Sequence, residues 1–406
     1  PEHLSVFDQI DVTQVIANGN SATTAHLLTL VDLDPTGFRP VLGPLLTEDS
    51  AVSGAVLGAI GTRDPGVLKP VFSDFVEQAF DSVRFRWALT RTIDSEPALF
   101  RRHIANSIWT LQRALDEGEP AAAAVRSLTV ALAVAPTLVP EYGWVVRVLE
   151  HPDAETRRAA AEAIPEIVAC RKTDCIDRQV LREPLIRELN GGKYPNRASA
   201  AKALGYIGTT DGESAAGTLP HLTARLPDKE LSVRTAILDG IKRIVTEYPE
   251  TRSASTVERV AALLGGRTTS SALEAIEAHG ATAIATLDLD VLAVVLGHDD
   301  EKCRHQTVET LLSLGACSPS DRGDILTLFC WARYDTSATV RQAAVQAIGV
   351  AGRQWPATRP AAVEALFDYL RHYPDPPDPA ADALAAIAES VPGAPAALAE
   401  RLRQED

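Results

Sequence analysis

Hydrophobic and polar positions along this chain follow a helical rhythm broken at short intervals. In 141–169, Trp144, Val145, Val146, Val148 and Leu149 form one apolar run. His151-Pro152-Asp153 interrupts it, and Arg157, Ala160, Ala163 and Ile164 then recur at three- and four-residue spacing. This predicts two helices, A and B, joined by a tight turn. Asp153 is placed to accept from the free N–H groups at the start of helix B. The small alanines let neighbouring helices approach closely, and the Arg near the start of B is within reach of a carboxylate in an adjacent turn or repeat.

The pattern returns. Its clearest copies are Arg197-Ala-Ser-Ala-Ala-Lys-Ala-Leu-Gly-Tyr-Ile-Gly208 and Arg341-Gln-Ala-Ala-Val-Gln-Ala-Ile-Gly-Val-Ala-Gly352. Its anchor position falls at Ser50, Arg86, Glu119, Arg157, Arg197, Arg234, Thr269, Arg304, Arg341 and Pro377, a period of about 34–40 residues that marks a solenoid. Gly61, Gly208, Gly280, Gly315 and Gly352 stand where a unit closes, which predicts helix termination through positive φ. A helices are predicted at 71–80, 219–226, 257–264, 292–296, 325–330 and 362–370. The apolar pattern from Leu99 to Leu115 reads as one long A helix, and Gly191-Gly192-Lys193-Tyr194-Pro195-Asn196 as an enlarged turn. No segment alternates convincingly as a strand; the β-branched run at 12–16 is short.

The expected fold is therefore all-α, a right-handed alpha-alpha superhelix of about ten helix pairs in which each repeat packs only on its neighbours. Residues 1–37 are expected as N-terminal capping helices, 38–390 as a continuous solenoid and 391–406 as a C-terminal cap. The B helices, led by the anchors Arg157, Arg197, Arg234, Arg304 and Arg341, are expected on the inner curve.

The chain resembles the HEAT-repeat proteins, specifically the short bacterial and archaeal HEAT-like units, over roughly residues 38–390. The resemblance rests on Asp153, Arg157 and Ala160 in one unit, Arg197, Gly205 and Gly208 in another, and Asp300, Arg304 and Gly315 in a third. Asp228 with Arg234 and Asp335 with Arg341 extend it. It implies an armadillo-like α-solenoid. The functions it implies range from protein-docking scaffolds and adaptors to bilin lyase-like enzymes and, in one branch, alkylated-DNA glycosylases.

Composition narrows this range. The formal net charge is −15, from 54 acidic residues against 39 Lys plus Arg, of which only seven are Lys. Such a surface repels nucleic acid at long range. Its acidic, lysine-poor bias resembles that of a halophilic archaeon, and a high-GC bacterial genome produces a similar one. Arg126 interrupts the longest apolar stretch, 120–135, so no membrane span is predicted. No basic head with an apolar run follows Pro1, so a secretory signal is not expected. Five scattered cysteines do not make a disulfide framework, which favours a cytoplasmic protein with reduced thiols.

One segment departs from the acidic average. Residues 84–113 hold Arg84, Arg86, Arg91, Arg101, Arg102 and Arg113 with Trp87, His103 and Trp109, opposed by Asp94 and Glu96. In one reading this is an interaction patch, where guanidinium forks and indole planes grip a partner's carboxylates or aromatic groups. In the other, Arg86 is a repeat anchor, the tryptophans pack between helices and the remaining arginines face water. A glycosylase-like enzyme would need a positive groove and a placed carboxylate, and Asp94 matches no catalytic constellation of that branch. Metal ligation is not expected. Cys170 and Cys175 have the wrong spacing for a zinc knuckle, His151 and His298 read as turn residues, and Cys303 and His305 do not share a helix face. No nucleophile–base–orienter set is evident around Cys303 or Cys330, and no cofactor is expected. The leading function is a non-catalytic scaffold or adaptor binding a protein partner through its concave face. The alternative is a nucleic-acid-binding protein or DNA-glycosylase-like HEAT enzyme using the patch at 84–113.

Overall fold

The computed structural model describes Val15 and residues 19–139, 143–169, 178–373 and 379–390. The Pro-rich stretch at 374–378, the tail helix expected at 396–403 and most of the first 18 residues lie outside them. The described residues contain 22 α-helices and no strand, in two compact units that meet in sequence at Ile207 and Gly208.

The first unit holds α1 (Ser21–Leu33), α2 (Leu42–Thr47), α3 (Ala51–Arg63), α4 (Phe72–Asp81), α5 (Val83–Ser95), α6 (Pro97–Glu117), α7 (Ala122–Val134), α8 (Trp144–Leu149), α9 (Ala154–Ala169), α10 (Arg178–Gly191) and α11 (Tyr194–Ile207). From α2 onward these alternate as A and B helices. Each B helix packs on its own A helix and on the B helix beside it, α3 on α5, α7 on α9 and α9 on α11. The row is uneven at one step: α5 packs broadly on α3 but only lightly on α7, whose packing goes instead to α4, α6 and α9.

The second unit holds α12 (Gly212–Ala224), α13 (Leu231–Glu247), α14 (Ala254–Ala261), α15 (Thr269–His279), α16 (Ala281–Thr286), α17 (Leu289–Val295), α18 (Glu301–Cys317), α19 (Arg322–Ala332), α20 (Ala338–Gln354), α21 (Arg359–His372) and α22 (Pro379–Glu389). Here α13, α15, α18, α20 and α22 pack in succession. The A helices expected at 71–80, 219–226, 257–264, 292–296, 325–330 and 362–370 are α4, α12, α14, α17, α19 and α21, and the long pattern through Leu115 is α6. The Gly191–Asn196 turn is shorter than expected: α10 runs through Gly191 and α11 begins at Tyr194.

The helix starts obey the expected chemistry. Thr156 N–H donates to Asp153 Oδ2 at 2.7 Å, Thr156 Oγ1 donates to the same oxygen, and Ala121 N–H in the preceding repeat donates to Thr156 Oγ1 at 2.9 Å. One Asp–Thr pair thus caps α9 and ties it to the start of α7. The buried side of α9 combines small Ala159, Ala160 and Ala163 with branched Ile164 and Ile167.

The glycines correct one expectation. Gly280 does take positive φ, at 52°, and Gly208 directly follows α11. Gly61, Gly315 and Gly352, however, lie inside α3, α18 and α20. They are contact points between layers. A Cβ on Gly61 would run into Thr92, one on Gly315 into the Trp355 ring, and one on Gly352 would lie 2.5 Å from Ile387 Cδ1. Gly349 behaves likewise, with Ala383 Cβ 2.6 Å and Ala383 Cα 3.3 Å from where its own Cβ would stand. At Gly61, Gly315 and Gly352 the motif carries glycine because the next layer is seated there.

Gly349→Ala is therefore expected to destabilise the fold by about 1–3 kcal/mol through overpacking against backbone. Gly43→Ala, at an exposed position of α2 with nothing within 4 Å of the added methyl, is expected to stabilise it by about 0.5–1 kcal/mol. Urea unfolding midpoints check both, and midpoints moving in the same direction would contradict the assignment.

Candidate interaction surface

The anchor arginines turn inward on the turns that precede them. Arg157 Nη1 donates to the carbonyls of His151 and Pro152, both at 2.8 Å. Arg234 does so to Asp228 and Lys229 at 2.7 and 3.0 Å, Arg304 to His298 and Asp299 at 2.8 and 3.1 Å, and Arg341 to Asp335 and Thr336 at 2.8 and 3.0 Å. Arg197 reaches Gly192 O at 3.1 Å. Each guanidinium satisfies carbonyls of the A–B turn itself, past the end of the A helix. His151 and His298 belong to the same turns, where Nδ1 accepts from the N–H of Asp153 and of Asp300.

Arg157 and Arg304 also bridge repeats. Arg157 Nε pairs with Glu188 at 2.8 Å, and Arg304 grips both oxygens of Asp335 at 2.7 and 2.9 Å. Burial pushes the Asp335 carboxyl up, but the bonds from Arg304 and the Ser337 N–H outweigh it and hold the group below the usual carboxylate range. A second set of arginines closes the opposite corner, seven residues back: Arg252 to Val245 O at 3.2 Å, Arg322 to Gly315 O at 2.9 Å and Arg359 to Gly352 O at 2.8 Å. The repeat motif does not include these three, and the only sequence signal for them is an Arg at the start of an A helix.

The 84–113 segment divides in two. Arg86 is internal. Its Nε and Nη2 take the carbonyls of Ala79 and Phe80 at 2.9 and 2.6 Å, and its Nη1 pairs with Glu166 on α9 at 2.8 Å. His103 also points inward, edge-on to Phe72 with ring centroids 5.7 Å apart. Phe72 in turn meets Phe75 and Phe100, and Phe75 meets Phe85, so an aromatic cluster binds α4, α5 and α6 into one rigid piece. The other seven residues lie on the surface. Trp87 is 51% and Trp109 56% exposed, so neither is packed away between helices. Each carries an arginine four residues later over its ring, Arg91 at 5.3 Å and Arg113 at 5.4 Å. The inner edge of Trp87 rests on Gly58, where an added Cβ would be 2.9 Å from the indole.

Charge is distributed unevenly over this surface. Arg84 pairs with Asp49 at 3.4 Å, and Arg113 with Glu117 and Glu119 at 3.3 and 3.2 Å. Arg91, Arg101 and Arg102 are exposed and form no ion pair among the described residues. Along α5, Val83, Arg84, Trp87 and Arg91 make an open stripe, whereas α3 and α9 are exposed mainly at their ends. The inner side of the stripe lies on α3, with Arg84 Cβ over Gly54 and the Trp87 ring over Gly58.

Other chemistry-bearing groups do not assemble. No group of three or more His, Cys, Asp or Glu among the described residues is placed to hold a metal; Cys170 and Cys175 lie outside them. Burial raises the thiols of Cys303 and Cys330 above their ordinary values, which disfavours the nucleophilic thiolate. An open cleft of about 520 Å³ between α12 and α14 has an apolar wall of Ala216, Leu219 and Pro220 facing Glu250, Ser253 and Arg259. No helix among the described residues is long and apolar enough to cross a membrane.

No protein-family model and no curated protein sequence matches the chain. Solved structures do. Yeast importin-beta (Kap95p) superposes with a TM-score of 0.59 at 13% identity, covering 95% of this chain and 58% of that one. Kap95p with RanGDP gives 0.57 at 13% identity, covering 95% and 56%, and Kap121p gives 0.54 at 12% identity, covering 96% and 45%. The chain thus spans about half the length of these karyopherins. The likeness is one of fold: a HEAT-repeat α-solenoid.

Burial lowers the pKa of His103, and of fully buried His279 on α15, with the Nε2 of both lacking a partner. A lowered folded pKa leaves stability complete above the unfolded value near 6.5 and removes it as pH falls from there through the folded value. Urea midpoints are expected to fall below about pH 6.5, and to fall less in a His103→Phe/His279→Leu variant. An identical decline in that variant would place the effect on other groups.

Proposed function

We propose that this chain is a non-catalytic HEAT-like scaffold that binds a protein partner through the concave face of its helix stack. The fold supports the class: it is that of karyopherins, among them Kap121p bound to Pho4p and to Ste12p. The observation that carries the reading is the open stripe of α5, with Trp87 half-exposed between Arg84 and Arg91. Elsewhere the anchor arginines are committed to turn carbonyls. Here guanidinium and indole groups face outward from helices fixed beneath by Phe72, Phe75, Phe85 and Phe100. A rigid aromatic flanked by arginines is the composition of an interface hot spot. The free thiols of Cys303, Cys317 and Cys330 fit a cytoplasmic setting.

The test is affinity capture from native lysate at the organism's working salt, followed by mass spectrometry. A variant with Arg84, Arg91, Arg101 and Arg102 each changed to Glu is run in parallel, with Arg86 retained because it closes the α4–α5 corner. A stoichiometric protein partner, lost in a variant of unchanged melting temperature, is the expected result. Recovery of nuclease-sensitive nucleic acid without protein would overturn the reading.

A further inference from the structure

We infer that the α5–α6 surface takes an acidic segment of its partner, one that combines carboxylates with an aromatic or apolar side chain. The inference rests on the scaffold reading and specifies the partner's chemistry at this face.

Three observations converge on that chemistry. The first is charge. In a chain of net charge −15, Arg91, Arg101 and Arg102 stand exposed without an ion pair among the described residues. All three fall within two turns of the α5–α6 corner at Glu96. Cations kept unpaired amid excess acid are complementary to an anionic ligand.

The second is geometry. Arg91 lies over the Trp87 ring at 5.3 Å. A guanidinium resting on an indole face has its ring side covered, while its in-plane N–H donors still point outward in the fork that matches a carboxylate. The stacked arginine therefore loses less freedom when it binds than a loose one would. Val83, 79% exposed one turn before Trp87, adds an apolar contact beside the fork, which a purely ionic ligand would leave in water.

The third observation selects among anions. Exposed Asp94 follows Arg91 on α5, Asp49 sits on Arg84, and farther along α6 Glu117 and Glu119 sit on Arg113. A nucleic-acid backbone carries phosphate at every step and would run over these acids. A peptide can place two or three carboxylates at the arginines and set uncharged residues against the acids. Both are repelled by the chain at long range, but only the peptide avoids repulsion at contact.

The probe is a short fluorescein-labelled peptide of alternating Glu and Phe, titrated by anisotropy. A Lys/Phe peptide of the same length and a labelled single-stranded oligothymidylate are the comparators. Binding of the Glu/Phe peptide alone is expected, weakening as salt is raised. It should weaken by about tenfold or more in Arg91→Glu/Arg101→Glu/Arg102→Glu, and again in Trp87→Ala. The charge variant alters only exposed side chains, so its fold can be confirmed by an unchanged melt. Equal binding by that variant, no binding at all, or preference for the Lys/Phe peptide or the oligonucleotide would overturn the inference. If lysate capture recovers a protein partner that the charge variant still binds, the scaffold reading stands and this inference fails.

Discussion

The structure depends on what a guanidinium does at the end of a helix. The turn that follows an A helix carries backbone carbonyls that belong to neither helix and need donors, and the chain must enter helix B at once. In unit after unit, an arginine of B reaches back five or six residues and donates to two of those carbonyls. Both bonds come from one nitrogen, Nη1, and in Arg157 and Arg304 the Nε is left to hold a carboxylate of the next repeat, a division of labour that lysine's single nitrogen could not make. The opposite corner is closed by Arg252, Arg322 and Arg359. Corners set in this way fix the angle between A and B, and the angle decides which small residues meet the next layer. Gly315 beneath Trp355 and Gly349 beneath Ala383 are consequences of that placement.

Asp335 shows how corners couple along the stack. Its carboxylate holds Arg304 of the preceding repeat and accepts from the Ser337 N–H, while its own carbonyl receives Arg341 of its own repeat. Arg341 then lies over Tyr373, 5.1 Å from the ring centroid. Two successive anchors thus share one residue, and neither corner is independent of the other. Arg333, with Asp368 at 2.7 Å, repeats the device between α19 and α21. This is nearest-neighbour stabilisation of the kind a helical stack requires, carried by charge-assisted bonds as well as by packing.

The helix pairs, their period and the Asp and Arg of the turns were legible in the sequence, because each is a local pattern repeated many times. What depended on neighbours was not. Gly61, Gly315 and Gly352 sit at the end of the motif, where termination is the natural local reading, and only the adjacent layer shows that they make room for a side chain. Within the candidate patch, Arg86 and Arg84 are two residues apart and look equivalent in sequence. Helical phase turns one onto the α4 carbonyls and leaves the other in water. Trp87 and Trp109 could be read as buried or exposed with equal justice. Trp87 rests one edge on Gly58 and keeps half its surface open, a division that only the neighbouring helix decides.

Guanidinium closure, shared through Asp335, is the central constraint. A double-mutant cycle of Arg304→Met and Asp335→Asn, read by urea unfolding, tests it most directly. The side chains of both are nearly buried, 11% and 10% exposed, so solvent screens the pair little. A coupling of about 1.5–3 kcal/mol is expected, with each single variant losing nearly as much stability as the double. Additive losses, with a coupling near zero, would show that the corners hold without their shared carboxylate and would contradict the account.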